Sequence, residues 1–165
     1  MKKIAFVIVA LFMSVAANAQ FEKGKGYLGA SLSGFDMGSE YKEFKFELSA
    51  KAGYLFSDDW MALGEVGYKH NEHMSDAFVI GAAARHYFSK NGLFVGAGLK
   101  FKHAEDYDDL VPGVHAGYAF FLTRTVTLEP ELYFDISTKG SYYTSYGLRI
   151  GVGVYLFKDQ YKLKR

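Results

Sequence analysis

The sequence predicts an all-β protein, an eight-stranded antiparallel up-and-down transmembrane barrel, and three observations carry that reading. Apolar and polar side chains alternate with period two in eight successive runs between Gly26 and Phe157. A leader-like stretch precedes these runs, with Lys2 and Lys3, an apolar core from Ile4 to Val15 and the small-residue site Ala17-Asn18-Ala19. The composition is rich in aromatics and glycine (15 Phe, 13 Tyr, one Trp, 18 Gly) and contains only two prolines, a mixture that suits strands, tight turns and membrane interfaces. A strand with one oily and one polar face fits a wall between lipid and a hydrated lumen. Only closure of the sheet then satisfies every backbone group in lipid.

The apolar core of the leader is shorter than the roughly 20 residues a spanning helix needs, so residues 1–19 read as a cleaved export signal and residues 20–165 as one barrel domain. The expected destination is the bacterial outer membrane. With no cysteine, neither a lipidated N-terminus nor a disulfide framework is available. Once Lys2 and Lys3 leave with the signal, acids and bases nearly balance, which argues against nucleic acid as a partner.

The first strand runs from about Gly26 to Phe35, with Leu28, Ala30 and Leu32 opposite Gly29, Ser31 and Ser33. The second, Phe44 to Phe56, is the clearest: Phe44, Phe46, Leu48, Ala50, Ala52, Tyr54 and Phe56 share one face, and Lys45, Glu47, Ser49 and Lys51 the other. After Ser57-Asp58-Asp59, the third strand (Trp60 to Lys69) sets Ala62, Val66 and Tyr68 against Glu65 and Lys69, and the fourth covers Ala77 to Phe88. A turn at Ser89-Lys90-Asn91-Gly92 contains the favoured Asn-Gly pair. The fifth strand, Leu93 to Lys102, opposes Val95, Ala97, Leu99 and Phe101 to Lys100 and Lys102. Leu110 to Leu122 forms the sixth, Val126 to Ile136 the seventh and Thr144 to Phe157 the eighth. Pro130 cannot donate to a ladder, so a bulge or local irregularity is expected there.

Short connections at 57–59, 89–92 and 123–125 alternate with longer ones near 36–42, 70–76, 103–109 and 137–143. An even-stranded barrel with both termini in the periplasm has this pattern, short turns inside and longer loops outside.

Alternation alone does not say which face is outward, since a soluble barrel would enclose its oily face. Aromatics near strand ends favour lipid outside: Tyr54, Phe56, Trp60, Phe88 and Phe120 on the turn side, Phe44, Tyr68, Phe78, Phe101 and Tyr146 on the loop side. These would form two interfacial girdles. The polar face would then send Lys45, Lys51, Lys69, Arg85, Lys100, Lys102 and Arg149 into the lumen, with Glu47, Glu65, Glu129, Glu131 and Asp135. Isolated buried charges are costly, so these should pair, and eight strands leave an interior that side chains fill.

The segments Gly81-Ala82-Ala83-Ala84-Arg85-His86-Tyr87-Phe88, Leu93-Phe94-Val95-Gly96-Ala97-Gly98 and Leu128-Glu129-Pro130-Glu131-Leu132 resemble the porin-family outer membrane protein β-barrel domain. In size the chain is similar to the OmpX-type barrels and the OmpA transmembrane barrel. The resemblance implies an architecture rather than an activity. It also implies an assembly signal ending on a terminal aromatic residue; here Phe157 is followed by the basic tail Lys158 to Arg165, which reads as a frayed end, the alternative being contact with anionic headgroups.

Candidate chemistry is sparse. Gly24-Lys25-Gly26-Tyr27-Leu28-Gly29 matches a dinucleotide fingerprint without the strand before it and the helix after it. His70, Glu72, His73 and Asp76 in one loop would suit a metal if the loop folded back, and with Ser75 they are the place for a lipid-acting enzyme. His103, Glu105, Asp106, Asp108 and Asp109 read as an acidic outer loop able to hold a divalent cation. The expectation from the sequence is nonetheless a monomeric, non-enzymatic barrel without cofactor or metal. Its outer loops would meet any partner, and its lipid partners would include lipopolysaccharide; a narrow porin-like channel is the other alternative.

Overall fold

The computed structural model describes residues 21–36, 45–71, 76–88, 92–104, 107–140 and 144–156; the leader, Phe44, Glu72 to Ser75, Glu105, Asp106 and residues 157–165 lie outside them. Nine strands form in chain order: β1 (Gly26–Asp36), β2 (Lys45–Ser57), β3 (Trp60–Asn71), β4 (Ala77–Tyr87), β5 (Leu93–Ala104), β6 (Tyr107–Tyr118), β7 (Phe120–Phe121), β8 (Val126–Asp135) and β9 (Ser145–Leu156). Each pairs antiparallel with its sequence neighbour as far as β6, and β8 pairs both β6 and β9. Closure comes from β1 and β9, which pair from Gly26↔Leu156 to Asp36↔Gly147. Because β7 prolongs β6 along the same neighbour, the molecule is a closed eight-stranded barrel.

The pairing with β8 stops at Gly117↔Glu131 and resumes at Phe120↔Leu128 in unchanged register. Pro130 lies opposite the gap. A Cβ on Gly117 would come 2.5 Å from the Pro130 carbonyl oxygen, so that edge of Pro130 faces β6, and the side without an N–H is where the ladder breaks. Its other neighbour is undisturbed, with Pro130↔Ile150 in register. The irregularity expected at Pro130 is thus an interruption rather than a bulge. True register shifts occur between Ser33 and Phe35 and between Leu55 and Ser57, the latter leading into a tight turn where Asp59 adopts φ 63°, a conformation Asp tolerates better than most residues.

The connections correct one expectation. Between β5 and β6 only residues 105–106 separate the strands, so the supposed long loop 103–109 is a tight hairpin and the strands simply extend further than the apolar alternation does.

The direction of the faces settles the choice between lipid and soluble barrel. Leu48, Val66, Leu99 and Ile150 are 52, 46, 45 and 47% exposed, and Leu28, Ile80, Val114, Leu132 and Val152 join them on a continuous apolar outer wall. Soluble monomers rarely expose apolar patches beyond a few hundred Å²; here the whole circumference is apolar. Ser31, Ser49, Glu47, Lys51, Arg85, Glu131 and Arg149 are buried inside. The core of this protein is therefore polar in its middle.

Candidate functional site: the closed lumen and the outer rim

The centre of the lumen is built on Arg85 of β4, 1% exposed. Its Nη1 donates to Glu129 Oε2 at 2.8 Å and its Nη2 to Glu131 Oε2 at 2.9 Å, while the guanidinium lies 3.9 Å over the Phe94 ring. Glu131 also accepts from Arg149 Nη1 at 3.0 Å and faces Lys51 Nζ at 3.6 Å. Arg149 stands over Tyr133 at 4.6 Å and forms an ion pair with Glu47 at 3.5 Å. On the other carboxylate, Glu129, converge Tyr27 (2.9 Å), Thr127 (2.8 Å) and Tyr155 (3.4 Å). Lys100 and Asp135 pair at 2.8 Å.

Eight of the residues read as lumen charges thus meet in the barrel: Glu47, Lys51, Arg85, Glu129, Glu131 and Arg149 in one network, Lys100 and Asp135 in a pair beside it. Glu65 lines the adjacent cavity, whereas Lys69 and Lys102 are half-buried toward the loop end; the Lys45 side chain lies outside the described residues. Every inward side chain comes from a strand position of one parity, which is why period two alone assembles groups as distant in sequence as Arg85 and Arg149.

The free space left is small. A cavity of about 30 Å³ lies among Lys51, Glu65, Arg85, His115, Glu131 and Arg149, room for one or two water molecules. Glu65 Oε1, His115 Nε2 and Arg149 Nη2 are buried there without a protein hydrogen-bond partner, so the cavity has polar groups that water would satisfy.

Toward the short turns the lumen changes character, and period two gives no sign of it. Phe21, Tyr27, Leu55, Met61, Tyr87, Phe94 and Tyr155 form a buried apolar cluster across the barrel. Phe21, just before β1, stacks on Tyr87 with ring centroids 3.8 Å apart, and its carbonyl accepts from Asp59 N at 2.8 Å. Gly24 and Leu55 complete the fastening, Gly24 N donating to Leu55 O and Leu55 N to Lys25 O. The segment 21–25 is thereby tied across the end of the lumen. Its glycines belong to this turn and to β1, and no helix follows them among the described residues, so the dinucleotide fingerprint is a chance match.

Glycines make room for the bulky inward groups. A Cβ on Gly153 would stand 2.5 Å from the Tyr27 ring, and one on Gly117 2.5 Å from Phe94.

At the opposite end, Asp109 corrects the acidic-loop reading: it is buried on the inward face of β6 and accepts from Ser137 Oγ (2.6 Å) and Thr138 Oγ1 (2.9 Å). Outside, His103 pairs with Asp108 at 2.5 Å. His70 Nδ1 lies 2.7 Å from Asp76, which also accepts from the Tyr68 hydroxyl. No group of three metal-ligating side chains occurs among the described residues.

The outward aromatics stand at both strand ends. Tyr54, Phe56, Trp60 and Phe88 are exposed near the short turns, and Tyr68, Phe78, Phe101 and Tyr146 at the other end. Phe120, in contrast, is half-buried against Tyr118, with centroids 4.3 Å apart.

No protein-family model matches the chain, and no curated protein matches it. Solved structures do. The N-terminal barrel domain of Pseudomonas aeruginosa OprF is similar at 14% identity and a TM-score of 0.61, covering 81% of this chain and 98% of that one. Neisserial surface protein A is similar at 19% identity and 0.59, covering 79% and 95%. A de novo designed transmembrane β-barrel is similar at 16% and 0.55, covering 82% and 98%. The fold is that of the small eight-stranded transmembrane β-barrels, and at these identities the likeness carries the fold alone.

Proposed function

We propose that this protein is a monomeric, non-enzymatic barrel of the bacterial outer membrane, exported by residues 1–19, with both termini in the periplasm. Lipids, lipopolysaccharide among them, are its surroundings, and any external contact is made by its outer loops. The observation that carries this reading is the filling of the lumen. A cavity of about 30 Å³, an ion-pair network and an aromatic cluster in series leave no path for a solute, while the outer wall is apolar all round. Support for the location comes from a solved structure of like fold, the Yersinia pestis outer membrane protein Ail.

The test combines two measurements. Fractionated cells should carry the protein in the outer membrane, in a form that shifts its gel mobility on boiling. Vesicles containing it should not swell with small sugars; swelling would replace this reading with the narrow channel.

A second reading, a lipid-acting enzyme at the outer rim, draws on the Tyr68–Asp76–His70 contacts, since a carboxylate that orients an imidazole is a component of general-base catalysis. His73 and Ser75 lie outside the described residues. Lipid A composition unchanged between the wild type and the His70→Ala and Asp76→Asn variants would leave that reading without support.

A further inference from the structure

The apolar outer wall is indented. On the half of the barrel nearer the short turns, alanine and valine share the outer face of three adjacent strands: Ala84 of β4 pairs with Ala97 of β5, which pairs with Val114 of β6, and Val95 pairs with Ala116. Trp60 and His86 rise on one side, Leu132 and Phe134 on the other, and the furrow between them encloses about 630 Å³ open to the outside. At about 4.8 Å between strands, its floor is roughly 10 Å wide.

One rim is polar. His86 faces outward between Trp60 (4.6 Å) and Phe88 (5.2 Å), and its Nδ1 is buried with no hydrogen-bond partner. A neutral imidazole has one N–H. In the tautomer with the proton on Nε2 no donor is enclosed, and Nε2 donates at the membrane surface. A donor level with the Trp60 girdle meets lipid headgroups, whose oxygens are acceptors.

We propose that the furrow binds one glycerophospholipid, an acyl chain lying over Ala84, Ala97 and Ala116 and a phosphate oxygen accepting from His86 Nε2. The furrow is continuous with the lipid-facing wall, whose partner is acyl chain by virtue of the fold. Bulk lipid packs poorly into a concavity, and a chain laid along it restores the dispersion attraction that a gap forfeits. That the lipid belongs to the periplasmic leaflet rests on the orientation proposed above; the binding itself does not.

Trp60 is the single tryptophan of the chain and stands at the rim, so it reports occupancy directly. The folded full-length protein is placed in bilayers of a phosphate-free glycolipid containing a small mole fraction of brominated phosphatidylethanolamine or, in parallel, brominated diacylglycerol. Severalfold greater quenching of Trp60 by the phospholipid is expected. His86→Phe should abolish the preference while leaving the shape, and Ala84→Leu with Ala97→Leu should reduce quenching to that of bulk lipid; both variants are checked for folding by the gel shift on boiling. Equal quenching by the two lipids, unaltered by either variant, overturns the proposal. So does disulfide-linked dimer formed by Ala97→Cys in the membrane, which would assign the furrow to a second copy. Absence of quenching even in fully brominated bilayers would instead count against the lipid-facing wall itself.

Discussion

At the scale of single residues, Glu131 is the most heavily committed charge in the barrel, facing Arg85, Arg149 and Lys51 at 2.9, 3.0 and 3.6 Å. Removing one partner of a buried ion pair leaves an uncompensated charge and costs on the order of 3–5 kcal/mol. Glu131→Gln takes a carboxylate from three cations, leaving Arg85 its pair with Glu129 and Arg149 its pair with Glu47 but taking the charge that Lys51 faces, whereas Asp135→Asn releases mainly Lys100, which is less enclosed. The first should therefore lower the urea midpoint of the folded barrel clearly more than the second; equal losses would mean that the network is not electrostatically centred on Glu131. Glycines give a second comparison. A Cβ on inward Gly96 would collide with His115 Nε2 and stand 2.8 Å from the Ala84 carbonyl, whereas on outward Gly64 the nearest atom is Ala52 O at 4.0 Å. Gly96→Ala should cost about 1–3 kcal/mol through forced backbone movement, and Gly64→Ala should stay within about 0.5 kcal/mol of the wild type. Since the Ala84 contact is backbone, adding His115→Ala should restore only part of the Gly96→Ala loss.

At the scale of elements, the segment before β1 behaves as a stopper. Phe21 is held by stacking on Tyr87 and by edge contacts with Tyr155 at 5.6 Å, and its backbone is bonded to the β2–β3 turn. Phe21→Ala should cost about 3–5 kcal/mol if the ring is a true core side chain, and amides near Gly24 and Asp59 should lose hydrogen-exchange protection. A frayed terminus would show neither change. The same elements mark what the sequence makes legible. Strand number, order and the division into two faces follow from period two, because Leu48 and Lys51 can occupy opposite faces only if the ribbon is extended; the choice of the outward face rests on the aromatics at the strand ends. The apolar stopper is hidden by that same rule, since alternation assigns the inward face to polar groups throughout. Its trace lies in triplets where alternation lapses beside the short turns: Tyr54-Leu55-Phe56, His86-Tyr87-Phe88, Leu93-Phe94-Val95 and Val154-Tyr155-Leu156. In each, the central side chain is buried and points inward. Phe21 has no such mark, because it lies outside any strand and its place depends on the turn it binds. Asp109 is obscured differently: its neighbours Asp108 and Asp106 suggest a solvated loop, and only the register Lys102↔Asp109 places it in the wall.

At the scale of the whole molecule, similarity to a designed transmembrane barrel at a TM-score of 0.55 has a consequence for where function resides. A closed sheet with an apolar exterior and a filled lumen is sufficient for insertion and stability, and it does not by itself specify an activity. On the proposed reading, contact with external partners lies in the connections at the loop end. The division of labour predicts two opposite phenotypes. Replacing residues 37–44 and 141–143 by short Asn-Gly turns leaves every lumen contact named above in place, so the gel shift on boiling and the urea midpoint should hardly move, since long loops add little to closure entropy. Binding to vesicles that carry lipopolysaccharide should fall. Glu131→Gln should do the reverse, lowering stability while the folded fraction binds as the wild type does. Both responses are read in one experiment, by titrating the three folded proteins with the same vesicles and separating bound from free by flotation. If the loop replacement binds normally and Glu131→Gln does not, the lumen rather than the rim is the seat of function, and the ion-pair network is an activity rather than a support.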